Sequence, residues 1–149
     1  MDSKQPVSIL VVIHTNDLQI LLLERVKPSQ FWQSVTGSRE GEEDLAETAS
    51  REILEETGIR VSSTALLDHR LSNRFPIPPA WRNRYDGGVT HNTEHVFSAC
   101  LESAVAPRLD PVEHQAWEWL PWQDAVRRVW SWTNRDAIRL VARLAARQG

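Results

Sequence analysis

The acidic residues between positions 40 and 56 carry the clearest chemical signal in this sequence. Eight acids and one base, Arg51, give this stretch a charge of −7, whereas the rest of the 149-residue chain carries 16 bases and 12 acids. On a helix of about 3.6 residues per turn, Glu52, Glu55 and Glu56 share one side within about one turn. Neighbouring carboxylates repel one another, and a divalent cation would offset that repulsion. An all-oxygen ligand set of this kind favours Mg²⁺ or Mn²⁺ over Zn²⁺.

Composition alone would also fit an ordinary solvated helix face, and the spacing of the fixed residues argues against that interpretation. Counting from Gly37, five residues lead to Glu43, and seven more lead to the Arg-Glu pair at 51 and 52. A bulky aliphatic residue, the Glu-Glu pair at 55 and 56, and Gly58 follow in order. The pattern Gly-x5-Glu-x7-Arg-Glu-U-x-Glu-Glu-x-Gly-U, in which U is a bulky aliphatic residue, resembles the signature of the Nudix hydrolase family.

This resemblance implies a fold, a reaction and a set of residue roles. The implied fold is an α/β (α+β) sandwich with α/β/α layers, a mixed β-sheet and a loop–helix–loop catalytic box. The implied reaction is hydrolysis of a pyrophosphate bond in a nucleoside diphosphate derivative, with Mg²⁺ or Mn²⁺ as the cofactor. In this comparison Glu52, Glu55 and Glu56 are the catalytic and metal-binding carboxylates. Gly37 lends its carbonyl to the metal site, and Arg51 is a catalytic-box residue that orients the glutamates.

The segments on either side of the motif indicate which branch of the family the sequence resembles. They are similar to a branch of the family that converts dihydroneopterin triphosphate to dihydroneopterin monophosphate and pyrophosphate in bacterial folate biosynthesis, and that also accepts dATP. In that branch a glutamate late in the chain, here Glu113, completes the metal site. The segments that carry this likeness are residues 4–13, 31–38, 88–94 and 130–135.

Candidate substrate contacts follow from matching positions in similar enzymes and from residue chemistry. Arginine can grip a phosphate through two hydrogen bonds, an aromatic face can stack on a ring, and a hydroxyl can bond to the ring edge. The substrate-binding candidates are Lys4, Arg25, Thr36, Phe75, Arg84, Glu113 and Ser131.

Two other functions stay open at this point. One is a (d)NTP pyrophosphohydrolase for dATP or oxidised nucleotides, which would share the carboxylates and differ in the pocket for the base. The other is a non-catalytic nucleotide-binding module, which the complete set of glutamates argues against. Whether Glu52 or Glu56 acts as the general base also stays open, because coupled carboxylates titrate as a group.

Strands and helices of ordinary length must position these residues. The helix over 44–57 carries the glutamates and ends at Gly58, a residue suited to a left-handed C-cap. Gly37 is predicted to stop the strand before it, and Thr133, three residues before Asp136, has the spacing of a cap for the last helix. The predicted strands are 7–14, 19–25, 31–36, 61–71, 93–101 and 116–120, with a second helix over 121–128 and a long irregular loop over 74–92.

Length and composition limit the remaining classes of protein. With 41% hydrophobic and 25% charged residues, the sequence suits one domain over residues 1–149. Its longest unbroken apolar run, 9–13, is too short to span a membrane, and its first residues lack the pattern of a secretory signal. One cysteine excludes an intrachain disulfide, and nucleic-acid binding would need a broader basic face. We therefore expect a cytoplasmic enzyme whose partner is a small-molecule triphosphate, rather than a nucleic acid or a membrane.

Overall fold

A seven-stranded mixed β-sheet carries helices on both of its faces. The computed structural model describes residues 3–148; Met1, Asp2 and Gly149, which the single-domain prediction also covers, lie outside the described residues. The strands are β1 Val7–Thr15, β2 Gln19–Arg25, β3 Trp32–Gln33, β4 Val35–Ser38, β5 Leu67–Pro76, β6 His91–Leu101 and β7 His114–Pro121. The helices are α1 Leu45–Thr57, α2 Trp122–Arg128 and α3 Trp132–Gln148, with short 3₁₀ helices at Ser63–Ala65 and Pro79–Arg84.

Strand β1 occupies the centre of the sheet. It runs parallel to β6 along its whole length. On its other side β1 pairs antiparallel with β4 over its first half, and it pairs with β2 only near its end, where His14 faces Ile20. Strand β2 pairs with β7 along its whole length, from Gln19 to Arg25, and with β3 through Leu23 and Glu24. The short β4 therefore lies beside β1 and places Gly37 opposite Ile9.

Two apolar cores lie on opposite faces of the sheet, because successive residues of β1 point to alternate sides. The first core packs against α1 through Ala49 and Ile53. The second core packs against α3 through Ile138 and Val141. From β1, the first core receives Ile9, Val11 and Ile13, and the second receives Leu10 and Val12. The expected α/β/α sandwich is thereby confirmed.

Helix α1 has the ends that its sequence predicts. The Asp44 side chain accepts a hydrogen bond from the Glu47 amide, and the Glu47 side chain accepts one from the Asp44 amide, which completes a capping box. At the other end Gly58 adopts a left-handed conformation with φ of 71°, and its amide donates to the Leu54 carbonyl at 2.9 Å. These local bonds fix where the glutamate-bearing helix begins and ends.

The segment after α1 differs from the prediction of a strand over 61–71. Ser62 instead caps a 3₁₀ turn by accepting a hydrogen bond from the Thr64 amide, and β5 begins only at Leu67. Short hydroxyl side chains favour such local bonds over strand pairing. Strand β5 also runs on to Pro76, so the irregular loop predicted over 74–92 is shorter at both ends.

Two predicted boundaries were also wrong. Gly37 does not stop its strand, because it pairs with Ile9 and β4 continues to Ser38. Helix α3 begins at Trp132, one residue before the predicted cap. The Ser131 hydroxyl accepts a hydrogen bond from the Asn134 amide at 3.2 Å, so Ser131 takes the capping role that the spacing had suggested for Thr133.

Candidate active site

Arg51 joins the acidic residues of the catalytic box to the end of β4. Its guanidinium donates to Glu43 Oε2 at 2.7 Å, to Glu52 Oε1 at 2.7 Å and to the Ser38 carbonyl at 3.0 Å. A longer contact of 3.2 Å reaches Glu55 Oε2. These hydrogen bonds hold the pKa of Glu43 down at about 2.

Glu56 is the buried carboxylate of the box. Its side chain is almost fully buried, and both of its carboxylate oxygens lie without a hydrogen-bond partner. Burial, followed by the neighbouring Glu52 carboxylate, raises the pKa of Glu56 well above its usual range. Burial also raises the pKa of Glu52, although Arg51 opposes that shift. Buried carboxylate oxygens without partners are unfavourable in a folded protein unless a cation or a donor satisfies them.

The start of β7 brings two further side chains to Glu56. Ligand atoms of Glu56, Glu113 and His114 lie within 4.8 Å of one another. Strand β7 is held there by β2, since Arg25 pairs with His114 and the Val26 amide donates to the Glu113 carbonyl at 2.9 Å. Glu113 therefore lies beside the box although it comes 57 positions after Glu56 in the sequence.

His114 is buried and neutral, and its hydrogen bond with Gln33 determines which ring nitrogen carries the proton. Burial, followed by the charge of Arg25, lowers the pKa of His114 to about 4. Trp130 Nε1 donates to Gln33 Oε1 at 3.1 Å, which leaves the Gln33 amide nitrogen to donate to His114 Nε2 at 3.3 Å. The ring proton of His114 is thus on Nδ1, which lies 3.7 Å from Glu56 Oε1.

Gly37 is the point at which the backbone of β4 approaches the box most closely. A Cβ atom added at this position would overlap the carboxyl carbon of Glu52. Of the predicted ligands, Glu56 and Glu113 lie together with His114 within 4.8 Å, Glu52 lies against Gly37, and Glu55 is exposed beside Arg51; all four glutamates offer carboxylate oxygen donors. Such donors, including the partnerless oxygens of Glu56, fit a divalent cation of the Mg²⁺ type.

A cavity of about 340 Å³ lies next to this group. Six of the predicted substrate contacts line it, which are Lys4, Arg25, Thr36, Phe75, Arg84 and Ser131. The pKa values of Lys4 and Arg25 are lowered by burial first and by Arg84 next, and the nearby Glu113 opposes both shifts. Lys4, Arg25 and Arg84 therefore form a basic end of the cavity, beside the carboxylates.

Aromatic rings line another part of the cavity wall. Phe31 stacks on Trp130 with ring centroids 5.0 Å apart, and Trp81 meets Trp130 edge-on at 5.8 Å. The Arg25 guanidinium lies 4.9 Å from the centroid of Trp81. Trp81 and Trp130 thus connect the basic end of the cavity to its aromatic wall.

The comparison with known proteins agrees with this geometry. The NUDIX domain pattern matches residues 4–141. The chain belongs to the Nudix family. It is 42% identical to the dihydroneopterin triphosphate diphosphatase of Escherichia coli over 138 residues, which cover 91% of each chain. It is 39% identical to the enzyme of that name from Haemophilus influenzae over 142 residues, or 93% of this chain and 89% of that one.

The fold is also similar to a solved structure of such an enzyme. The E. coli dihydroneopterin triphosphate pyrophosphohydrolase matches this Nudix chain with a TM-score of 0.86 at 40% identity, covering 94% of this chain and 97% of that one. The chain is therefore a Nudix hydrolase in fold and family. Within residues 3–148, no helix of this hydrolase is long and apolar enough to cross a membrane.

Several residues of this Nudix site were not predicted from the sequence. Asn92 and Glu94 are buried in the cavity wall, and His114 lies against Glu56. A glutamate within the strand predicted over 93–101 was the available signal for Glu94, and adjacency to Glu113 was the signal for His114. Three tryptophans, a tyrosine and a glutamine of the wall carried no signal of their own, and these are Trp81, Trp130, Trp132, Tyr85 and Gln33.

Proposed function

We propose that this Nudix hydrolase is a Mg²⁺-dependent pyrophosphohydrolase of dihydroneopterin triphosphate. Water would cleave the bond between the α- and β-phosphates and release dihydroneopterin monophosphate and pyrophosphate, a step of folate biosynthesis. The proposal includes Mn²⁺ as an alternative ion, a cytoplasmic location and one catalytic domain over residues 1–149. The observation that carries it is a cavity lined by three basic side chains and aromatic rings, which lies next to a carboxylate group whose member Glu56 has both oxygens without a partner.

The basic end of the cavity would hold the triphosphate. Lys4, Arg25 and Arg84 bring positive charge next to Glu52, Glu56 and Glu113. A phosphate chain bound there would lie between the basic side chains and the carboxylates. The three basic side chains would then neutralise phosphate oxygens on one side of the chain. The other side of the phosphate chain would face the carboxylate group and its metal ion.

The carboxylates would bind the metal, and one of them would accept the proton of the attacking water. Glu52, Glu55, Glu56 and Glu113, with the Gly37 carbonyl, are the proposed metal ligands. When bound, the ion would supply Lewis acidity and lower the pKa of water. Arg51 would keep Glu52 in place through its 2.7 Å hydrogen bond. A carboxylate oxygen of Glu52 or Glu56 would accept the proton from water, a role to which their raised pKa values are suited.

Substrate contacts on the cavity wall would orient the pterin. Phe75 lines the wall from β5 and would offer a face to the ring. The Ser131 oxygen accepts hydrogen bonds from the Asn134 amide and side chain, and its O–H would donate to the ring edge. Thr36 would contact the substrate where β4 meets the box. The alternative substrates, dATP or oxidised nucleotides, would use the same basic end, so only the ring-binding wall separates them from the pterin.

One experiment tests the reaction and the substrate together. Purified protein is incubated with Mg²⁺ in ¹⁸O-labelled water, with dihydroneopterin triphosphate and dATP assayed side by side. We expect pyrophosphate release from both and a higher kcat/KM for the pterin. The position of the label identifies the phosphorus that water attacks. Tight binding of both compounds without turnover would instead indicate a non-catalytic module, and a higher kcat/KM for dATP would favour the nucleotide alternative.

A further inference from the structure

One buried donor and one buried acceptor face each other beside the carboxylate group without forming a hydrogen bond. His114 Nδ1 and Glu56 Oε1 lie 3.7 Å apart, and neither atom has another hydrogen-bond partner. Both side chains are almost fully buried, with relative exposures of 2% and 3%. Their separation exceeds the range of an ordinary N–H···O hydrogen bond by only about 0.5 Å. An unmade pair of this kind is unfavourable in a protein interior and therefore requires an explanation.

The proton on His114 Nδ1 is fixed by hydrogen bonds on the far side of the ring. Trp130 Nε1 can only donate, and it donates to Gln33 Oε1, which turns the Gln33 amide nitrogen toward His114 Nε2. Nε2 must accept this hydrogen bond, because a proton on Nε2 would face another donor. The single ring proton therefore lies on Nδ1, on the side of Glu56. Gln33 is itself buried and pairs with Leu23 of β2, which holds this arrangement in place.

His114 resembles a metal ligand by its position only. Its ring lies within 4.8 Å of the ligand atoms of Glu56 and Glu113. A histidine binds a metal ion through an unprotonated ring nitrogen, whereas here Nδ1 keeps its proton and Nε2 accepts from Gln33. The ring is therefore a hydrogen-bond donor toward the site. It leaves the ligand set to oxygen atoms, which are the ligands that Mg²⁺ prefers.

The start of β7 holds the His114 ring in this place. The His114 amide donates to the Asp110 carbonyl at 3.0 Å, and His114 then pairs with Arg25 across β7 and β2. Trp130 and Gln33 line the cavity, and His114 is the next member of this chain of hydrogen bonds, outside the wall. A group in this position acts on a substrate in the cavity through Glu56 rather than by direct contact.

We propose that His114 is a positioning residue that directs Glu56 toward the metal ion, an inference that rests on the proposed metal-dependent hydrolysis. In the loaded site, His114 Nδ1–H donates to Glu56 Oε1, and this hydrogen bond leaves Oε2 as the ligand atom. A movement of less than about 1 Å brings the donor and the acceptor together. Hydrogen bonds to a metal ligand orient it, and their removal typically costs about 10- to 100-fold in metal affinity or activity.

Two substitutions separate this role from simple packing. His114→Asn keeps an amide N–H donor close to the position of Nδ1, whereas His114→Leu fills the space and removes every side-chain donor. Both variants lose the acceptor for Gln33, so they differ chiefly in the group that faces Glu56. The quantities to measure are the Kd for Mn²⁺ by calorimetry without substrate, and kcat and KM for dihydroneopterin triphosphate with Mg²⁺.

The two variants should differ in metal binding and in turnover. We expect His114→Leu to weaken Mn²⁺ binding and to lower kcat by about 10- to 100-fold, with KM changed less than about threefold. His114→Asn should stay within about threefold of the unsubstituted protein in all three quantities. Equal losses in the two variants, or unchanged values in His114→Leu, would overturn the role of His114.

A histidine remote from the site provides the matched control. His69 bonds to Ser98 at 2.8 Å from β5, the strand at the edge of the sheet beyond β6. His69→Leu makes the same chemical change there and should alter neither the Kd for Mn²⁺ nor kcat. If the unsubstituted protein binds Mn²⁺ and does not hydrolyse dihydroneopterin triphosphate, the proposed function fails, whereas the Mn²⁺ affinities still test His114.

NMR of the unsubstituted protein provides a readout that needs neither turnover nor a folded variant. In the metal-free protein, long-range ¹⁵N–¹H correlations of the His114 ring should show a proton on Nδ1 and none on Nε2. Addition of Mg²⁺ should leave this proton in place and move its resonance downfield, because the hydrogen bond to Glu56 shortens. A proton on Nε2, or loss of the Nδ1 proton when Mg²⁺ binds, would overturn the inference.

Discussion

At the scale of single residues, two buried glutamates have different partners. Glu56 lies beside other carboxylates and His114, where a cation would satisfy its oxygens. Glu94 lies beside Asn92 and Thr133, where a neutral donor would satisfy it. Both have raised pKa values because burial disfavours their charge. The protein therefore keeps two acids in its interior although burial disfavours their charge, and Glu56 lies where the proposed metal ion would offset that cost.

Glu56→Gln should separate catalysis from folding. The amide keeps the shape of the side chain but cannot act as an anionic ligand or as a base, so turnover should fall about 100-fold or more. The free energy of unfolding at neutral pH should rise, because the substitution removes a buried ionisable group whose pKa is raised by burial and whose oxygens have no partner. Hydrolysis assays and urea unfolding followed by circular dichroism measure the two effects. Turnover close to that of the unsubstituted protein would contradict the metal-site assignment.

Glu94 should make the stability of the protein depend on pH. Its pKa rises from 4.5 in the unfolded chain to about 7 in the folded one, so between these values the folded state binds more protons. Stability should therefore fall as pH rises from about 4.5 to 7, by up to about 3 kcal/mol, and level off above that. The quantity to measure is the difference between the unsubstituted protein and Glu94→Gln in urea unfolding at several pH values. Parallel curves for the two proteins would show that Glu94 is not the source.

At the scale of the elements, the contact between β4 and α1 is the tightest point of the site. Gly37→Ala should push the Glu52 carboxylate out of position, because the added methyl group would overlap it while Arg51 holds it. We expect kcat to fall about 10- to 100-fold with a small loss of stability. Gly87→Ala is the matched control, since a Cβ there meets no atom within 4 Å. Equal activity of the two variants would show that β4 does not constrain Glu52.

The cap of α1 should affect stability without affecting the reaction. Asp44→Ala removes the side-chain acceptor of the Glu47 amide and should lower the free energy of unfolding by about 1 kcal/mol. Packing of Ala49 and Ile53 holds the helix on the sheet, so kcat and KM should stay unchanged. Thermal unfolding and steady-state kinetics provide the measurements, with Ala substituted for the exposed Glu42 as the control. A large change in kcat would mean that the start of α1 takes part in positioning the glutamates.

The elements also explain which features could be predicted from the sequence. Helix α1 was predictable because its caps are local, between Asp44 and Glu47 and at Gly58. The predicted start of β5 was too early, because Ser62 forms hydrogen bonds with its near neighbours. Those bonds compete with strand pairing, which depends on the distant β6. The approach of His114 to Glu56 depends on the pairing of β7 with β2, a contact with no local signature. Sequence alone therefore placed the box glutamates on one helix and named six residues that line the cavity, and it missed the buried Asn92 and Glu94 and most of the aromatic rings of the wall.

At the scale of the whole molecule, metal binding and folding should be linked. The proposed ion would bind the folded arrangement of Glu52, Glu56 and Glu113, which come from two separate parts of the chain. Mn²⁺ at about one hundred times its Kd should therefore stabilise the whole protein by about 2.7 kcal/mol. Thermal unfolding with and without Mn²⁺ measures this, and Glu56→Gln should lose most of the effect. If calorimetry finds no Mn²⁺ uptake with or without nucleotide, the metal assignment is wrong.

The central position of β1 has a consequence for how such a protein can evolve. The helix with the box glutamates covers one side of the sheet, whereas Asn92 and Glu94 face the other. Mutations that change the accepted ring can therefore accumulate in one layer without disturbing the chemistry of the opposite layer. After gene duplication, one copy can come to accept a different substrate ring while it keeps the residues that cleave the phosphate bond.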